Sequence, residues 1–206
     1  KETHEFAEKM EEGQAFMTTS CCPSYMEMAR KHAPELQKYI STTYSPMVYT
    51  AQLAREKYPN AKVVFVGPCI AKRKEARRED LKGLVDYILT YEEAHAIGGM
   101  GIELGEANVH PVDCASRRSA HGFAENGGVT AAVKELVDGK IDFTTLQIAG
   151  LNKKNVALLK AYGKTGKAPA QFIEVMVCDG GCISGPSVHT AYGDGKKTFD
   201  AELKKR

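Results

Sequence analysis

The segment Phe172–Cys182 (FIEVMVCDGGC) constrains this chain more than any other: an apolar run that reads as a buried strand enters two cysteines four residues apart. Gly180 and Gly181 lie between them. Glycine permits positive φ and close approach, so the N–H groups of such a turn can point at inorganic sulfide or thiolate. Cys69 follows Lys62–Val66 (KVVFV), a β-branched run with the look of a buried parallel strand. Cys22 precedes a helix that Pro23 is placed to open, where N–H groups favour an anionic ligand. Ligands in an open α/β sheet gather at the carboxyl ends of strands, so three segments deliver thiols suited to one shared site.

Four thiolates are the usual ligand set of a cubane iron–sulfur cluster. Tetrahedral zinc also takes four, typically from two Cys-x-x-Cys knuckles, and this chain has no such pair. The spacing favours iron–sulfur and leaves zinc as the alternative. Adjacent Cys21 and Cys22 cannot easily bind one metal together, so one is spare or does other work. Cys114 reads as a small buried residue with no role. The six histidines are scattered, and Met26, Met28 and Met47 read as packing residues.

Elsewhere helices and strands alternate. Lys1–Gly13 reads as an amphipathic helix, Ser24–His32 as a helix, and Ser45–Pro46 as the N-cap and first position of a helix over Met47–Lys57. A helix starts near Ala71. Leu84–Thr90 reads as a strand, Tyr91–Ile97 as a helix and glycine-rich Ile97–Gly105 as a loop or broken helix end. Gly127–Val137 is a helix, Phe143–Ile148 a strand, Asn152–Tyr162 a helix and Asp194–Arg206 a polar surface helix or tail. This order predicts an α/β fold with mainly parallel sheets flanked by helices, in one large domain or two small lobes. The net charge of +2 argues against a nucleic-acid or acidic-membrane partner. No apolar run is long enough for membrane insertion and no signal peptide is evident, so a cytoplasmic location is expected.

Thr19–Pro23 (TSCCP), Gly67–Glu75 (GPCIAKRKE) and Glu174–Cys182 (EVMVCDGGC) resemble, in this order, the three signature segments of the iron-only hydrogenases. Ser45–Pro46, Val85–Thr90 and Phe123–Val129 also look like the family, and the resemblance spans nearly the whole chain. It implies the two-lobed hydrogenase catalytic domain, lobes meeting at the cluster, with its N-terminal part missing from residues 1–206. It implies that Cys22, Cys69, Cys178 and Cys182 bind the 4Fe-4S part of an H-cluster. Cys182 would also bridge to a two-iron subcluster carrying CO, cyanide and a dithiolate bridge. Lys72 matches the lysine that pairs with a cyanide ligand, Pro68 and Met176 would line the pocket, and Phe123 would pack nearby. Cys21 matches the cysteine that relays protons, with a thiol pKa near its ordinary value of about 8.5. Ser41 matches a serine further along that relay.

Some positions depart from the family. An ungapped alignment puts Lys1 and His4 where its best-known members carry two relay acids, with Glu5 and Glu8 as helical neighbours able to substitute. Gly67 replaces a Met, Met47 a Gln, and Ile-Ser-Gly-Pro-Ser follows Cys182 in place of a glycine-rich ending. No Cys-x-x-Cys-x-x-Cys array is present. The implied activity is reversible reduction of protons to H2. The implied partners are a ferredoxin-like electron carrier, as a further domain or a separate protein, and hydrogenase maturation proteins. A low-turnover H2 or redox sensor, or a non-catalytic assembly-type cluster protein, is the alternative.

Overall fold

The computed structural model describes residues 1–100, 118–137, 139 and 141–205, so Cys114 and most of the expected 97–105 loop lie outside the described residues. The fold is α/β with two parallel sheets. In the first, β5 (Phe172–Met176) is central, between β1 (Met17–Thr18) and β4 (Thr145–Ala149), with both neighbours parallel to it. All five residues of β5 are buried, as a parallel strand covered on both faces requires. Side chains alternate across a strand, and the two cores follow that period. Phe172 and Met176 join Phe6, Met17, Val129 and Val133 beneath α1 (Glu2–Glu11) and α7 (Gly128–Val137). Ile173 and Val175 join Phe16, Tyr25, Leu36 and Leu159 beneath α2 (Pro23–His32), a 3-10 turn at Pro34–Tyr39, and α8 (Lys153–Thr165).

The second sheet pairs β2 (Val64–Gly67) with β3 (Tyr87–Thr90), in parallel. Phe65 and Ile88 pack on Met47 and Val48 of α3 (Pro46–Lys57). Asp86 ties the layer together, accepting from Arg55 Nη2 at 2.5 Å and Val63 N at 2.7 Å. Short α4 (Lys72–Ala76) follows β2, and α5 (Tyr91–Gly99) follows β3 behind a capping box of Thr90 and Glu93. The chain then gives α6 (Arg118–His121) and, at its end, α9 (Tyr192–Lys204).

Several expectations need correcting. β2 is parallel but not buried: Val64 and Val66 are 45% and 47% exposed, because only its Phe65 face meets α3. Ser45 stands at the N-cap of α3, yet its hydroxyl makes no cap bond and is buried without a partner. α5 runs on through Gly98–Gly99. Phe143 lies outside β4 and packs its ring 4.8 Å from Phe6.

Candidate metal centre

Cys22 is the N-cap of α2, in extended conformation just past β1; its side chain makes no cap hydrogen bond, but the nearby backbone N–H groups of Tyr25, Val177 and Ser24 favour its thiolate form. Cys69 follows β2, and Cys178 follows β5. The Cys178–Cys182 turn closes with Gly181 N donating to Cys178 O at 3.0 Å. Gly181 has φ +91°, and a Cβ there would lie 2.6 Å from Asn126 N and 2.7 Å from Ala124 O. The approach is held by pairing: Glu125 and Gly181 form an antiparallel bridge, and Asn126 N donates to Gly180 O at 3.2 Å. No residue with a side chain fits there.

The four thiols lie within one another's field. Desolvation raises the Cys178 pKa, and the thiols of Cys22 and Cys69 raise it further. The same causes push Cys182 up to about 11, opposed by Lys72. Burial raises Cys22 as well, against its three N–H donors, with Cys69 adding to the rise. Without metal Cys22, Cys178 and Cys182 therefore hold their protons more firmly, and a thiophilic metal must displace those protons to bind. All five described cysteines are free. Among the described residues no three His, Cys, Asp or Glu side chains group around a single ion. A cubane does not ask for that, since its four thiolates bind four different irons.

Adjacent Cys21 and Cys22 diverge to opposite faces of the first sheet. Cys22 packs with the Tyr25–Val175 core, and Cys21 with the Phe6–Met176 core, where Phe123 also sits. Cys21 lies beside charged neighbours. Desolvation first, then Glu2, Cys22 and Glu174, push its thiol well above the ordinary range, with Lys72 opposing. The expected near-ordinary thiol is thus replaced by a firmly neutral one.

Lys72 is 9% exposed; its Nζ donates to Glu75 Oε2 at 2.6 Å and to the Cys21 carbonyl at 3.4 Å. Pro68 leaves β2 next to Cys69, and Met176 ends β5 at 3% exposure. Cys21, Phe123 and Met176 are thereby brought into one cluster, with Lys72 beside Cys21.

Ser41 is buried, and its hydroxyl donates to Glu5 Oε2 at 2.6 Å. Glu5 also accepts from Thr42 N at 2.7 Å and Thr43 Oγ1 at 2.8 Å. Desolvation would raise the Glu5 pKa, but these bonds outweigh it and hold the carboxyl below its usual value. Burial, then the charges of Glu5 and Glu174, raise Glu2 to about 7, and its Oε1 is buried without a partner. Lys1 and His4 stand elsewhere. Lys1 Nζ lies 4.1 Å from the Tyr49 ring centroid, and the exposed His4 faces Glu8 at 3.4 Å. The acids facing Cys21 and Ser41 are Glu2 and Glu5, one position on from the ungapped alignment. Glu2 was not singled out by sequence; its three-residue spacing from Glu5 on one helix, beside buried Phe6, was the available signal.

Residues 1–186 match the C-terminal domain of the iron-only hydrogenase large subunit. The chain is 32% identical to the periplasmic Fe hydrogenase large subunit of Nitratidesulfovibrio vulgaris, covering 91% of this chain and 56% of that protein. It is 28% identical to iron hydrogenase 1 of Clostridium pasteurianum, over 90% of this chain and 40% of that one. It is also 26% identical to the cytosolic Fe-S cluster assembly factor narfl of Xenopus tropicalis, over 88% and 48%. The chain thus spans about half the length of these relatives. A solved FeFe hydrogenase superposes with a TM-score of 0.69 at 20% identity, covering 98% of this chain and 71% of that one, which shows a shared fold. No helix among the described residues is long and apolar enough to cross a membrane. The chain belongs to the family formed by the C-terminal domains of iron-only hydrogenase large subunits.

Proposed function

We propose that residues 1–206 form an H-cluster domain of an iron-only hydrogenase, with two lobes meeting at the cluster, that interconverts protons and H2. The observation carrying this reading is a composite. Four thiols from three segments share one field, and Cys21, Lys72 and Glu2 stand beside them without belonging to the ligand set. A plain cubane needs none of those three.

Cys22, Cys69, Cys178 and Cys182 would hold the 4Fe-4S cluster, with Cys182 also bridging to the two-iron subcluster and its CO, cyanide and dithiolate ligands. When bound, that group stores electrons and supplies the metal at which protons are reduced. The chain's own residues do the rest. Lys72, a desolvated ammonium, donates toward an anionic ligand; Pro68, Met176 and Phe123 exclude water. Cys21 holds a proton as a neutral thiol at the inner end of a path. Glu2, raised to about 7, exchanges protons near neutral pH, and Ser41 and Glu5 continue the path through a hydroxyl–carboxylate bond. Electrons would come from a ferredoxin-like carrier, as a further domain or a separate protein, and the two-iron subcluster from hydrogenase maturation proteins. Five free thiols suit a reducing compartment such as the cytoplasm.

A second reading has its own support. Lys72 is already satisfied by Glu75 at 2.6 Å, as it would be in a cluster protein with no cyanide to bind, and relatives of comparable identity are named assembly factors. Anaerobic reconstitution with iron and sulfide, followed by loading of the two-iron unit, separates the two. The hydrogenase reading expects infrared bands of CO and cyanide, and H2 from a strong reductant. A reconstituted cubane that takes up no such unit sinks it in favour of the second.

A further inference from the structure

Strand β5 leads into Cys178, and it also carries one charged side chain among apolar ones. Glu174 stands four residues before Cys178 and is fully buried. Its Oε1 accepts from Gly127 N at 2.8 Å. Its Oε2 accepts from Thr130 N at 2.8 Å and from Thr130 Oγ1 at 2.7 Å. A buried carboxylate is costly to desolvate, and an apolar side chain would suit a strand covered on both faces. A carboxylate at this position points to a task that an apolar residue cannot perform.

The loop that Glu174 grips is the one that pairs with the cysteine turn. Next to Gly127, Asn126 donates its N–H to Gly180 O at 3.2 Å, and Glu125 forms the antiparallel bridge to Gly181. Gly127, Gly180 and Gly181 all have positive φ, at +91°, +82° and +91°. Between these points the loop is stiff. Glu125 N donates to Gly122 O at 3.0 Å and Gly128 N to Glu125 O at 3.1 Å, while a Cβ on Gly128 would lie 1.9 Å from Gly122 O. The contacts close a ring: Glu174 to Gly127, Asn126 to Gly180, and along the chain from Gly180 through Cys178 back to Glu174.

We propose that Glu174 is a positioning residue: by fixing Gly127 it sets the Cys178–Cys182 turn, through Asn126 and Glu125, before any metal binds. The Gly127 bond acts on the turn, and the Thr130 bonds act on α7. The positioning stands on these contacts alone; its consequence for a cluster rests on the hydrogenase-type reading above.

Hydrogen exchange followed by NMR tests this on the metal-free chain under reducing conditions. The amides of Asn126 and Gly181 report the turn, since they donate to Gly180 O and Cys178 O. Glu174→Met keeps the bulk and removes both acceptors, and it should speed exchange at these two amides by about 10- to 100-fold, the range for losing hydrogen bonds to a buried charge. Glu174→Gln should restore rates near those of the wild type, because its oxygen can still accept from Gly127 N while its NH2 donates to Thr130 Oγ1. Two controls should also leave both rates unchanged. Thr130→Val removes only a hydroxyl bond on the α7 side, and Ile148→Val trims the core on the opposite face of the sheet. Unchanged rates in Glu174→Met, an equal rise in Glu174→Gln, or an equal rise in either control would overturn the positioning role. Should Glu174→Met not fold, the wild type decides. Protection of Gly127 and Gly181 should fall together with rising urea, and a turn that opens while Gly127 stays protected would overturn the proposal. In the iron-reconstituted chain, a ferrous chelator should extract metal roughly tenfold faster from Glu174→Met and at the wild-type rate from Glu174→Gln. If the wild type forms no cluster, that failure belongs to the cluster reading, and the exchange rates still decide the positioning.

Discussion

Cys21 and Cys22 show how far one residue of displacement carries chemistry. They share a peptide bond, yet their side chains enter different cores, one among the charges of Glu2 and Lys72 and one among N–H donors. On the proposed hydrogenase reading, Cys21→Ala is expected to keep the iron content of the reconstituted chain while lowering H2 turnover by about 10²–10⁴, the usual range for loss of a positioned proton donor. Cys178→Ala should instead lower the iron content itself. The same displacement explains why the ungapped alignment falls on Lys1 and His4, while Glu5, the helical neighbour named as able to substitute, is the one that faces Ser41. A helix turns about 100° per residue, so a register error of one moves the side chain from the face toward Ser41 to the solvent face that His4 occupies. The thiols were legible because strand, turn and cysteine sit side by side in sequence. Their neighbours Glu2 and Glu75 were not, because burial and partner come from distant segments. Glu5, held below its usual carboxyl value, favours the fold above pH 4.5 and loses that contribution as pH falls through its lowered folded-state value. The stability gap between wild type and Glu5→Gln, measured by urea unfolding, should thus narrow when pH drops from 7 to below 4.

Strand β5 was readable as an element because every residue in it is apolar except Glu174, and that exception organises its neighbour. Glu174, fully buried, accepts from Gly127 N and Thr130 N at 2.8 Å and from Thr130 Oγ1 at 2.7 Å, so it closes the N-terminus of α7 from another element. Burial raises its pKa in spite of those donors. Glu174→Ala should destabilise the fold by about 1–3 kcal/mol, the cost of stranding buried donors, and Glu174→Gln by less; chemical denaturation measures both. The segment between α6 and α7 is fixed just as closely, since a Cβ on Gly128 would collide with the backbone of Gly122. Other elements left weaker marks. Two-residue β1 is too short to show a period, and it exists because β5 lies alongside. In β2, β-branched composition suggested burial on both faces, but composition does not say which faces are covered.

At the scale of the molecule the two sheets are joined around Glu27 of α2, which pairs with Arg30 and Lys31 on its own helix and with Lys74 of α4. Side-chain hydrogen bonds from Arg30 and Lys74 hold Glu27 at about 2, below its reference of 4.5. A depressed carboxyl contributes above its unfolded value and loses that contribution as pH falls through the folded one, here between pH 4.5 and about 2. Amide protection in α4, taken relative to the intrinsic exchange rate at each pH, should fall across that window, and less steeply at high salt, because the cluster is exposed and screened. The joining of distant segments also sets a timetable for biosynthesis. Cys22 and Cys69 leave the ribosome long before β5 exists, and β1, which carries the chain into Cys22, pairs with β5. Until β5 is made, a nascent chain can present only two of the four thiols proposed to hold the cluster. The thiols of the unfinished chain must meanwhile be kept reduced by the cell.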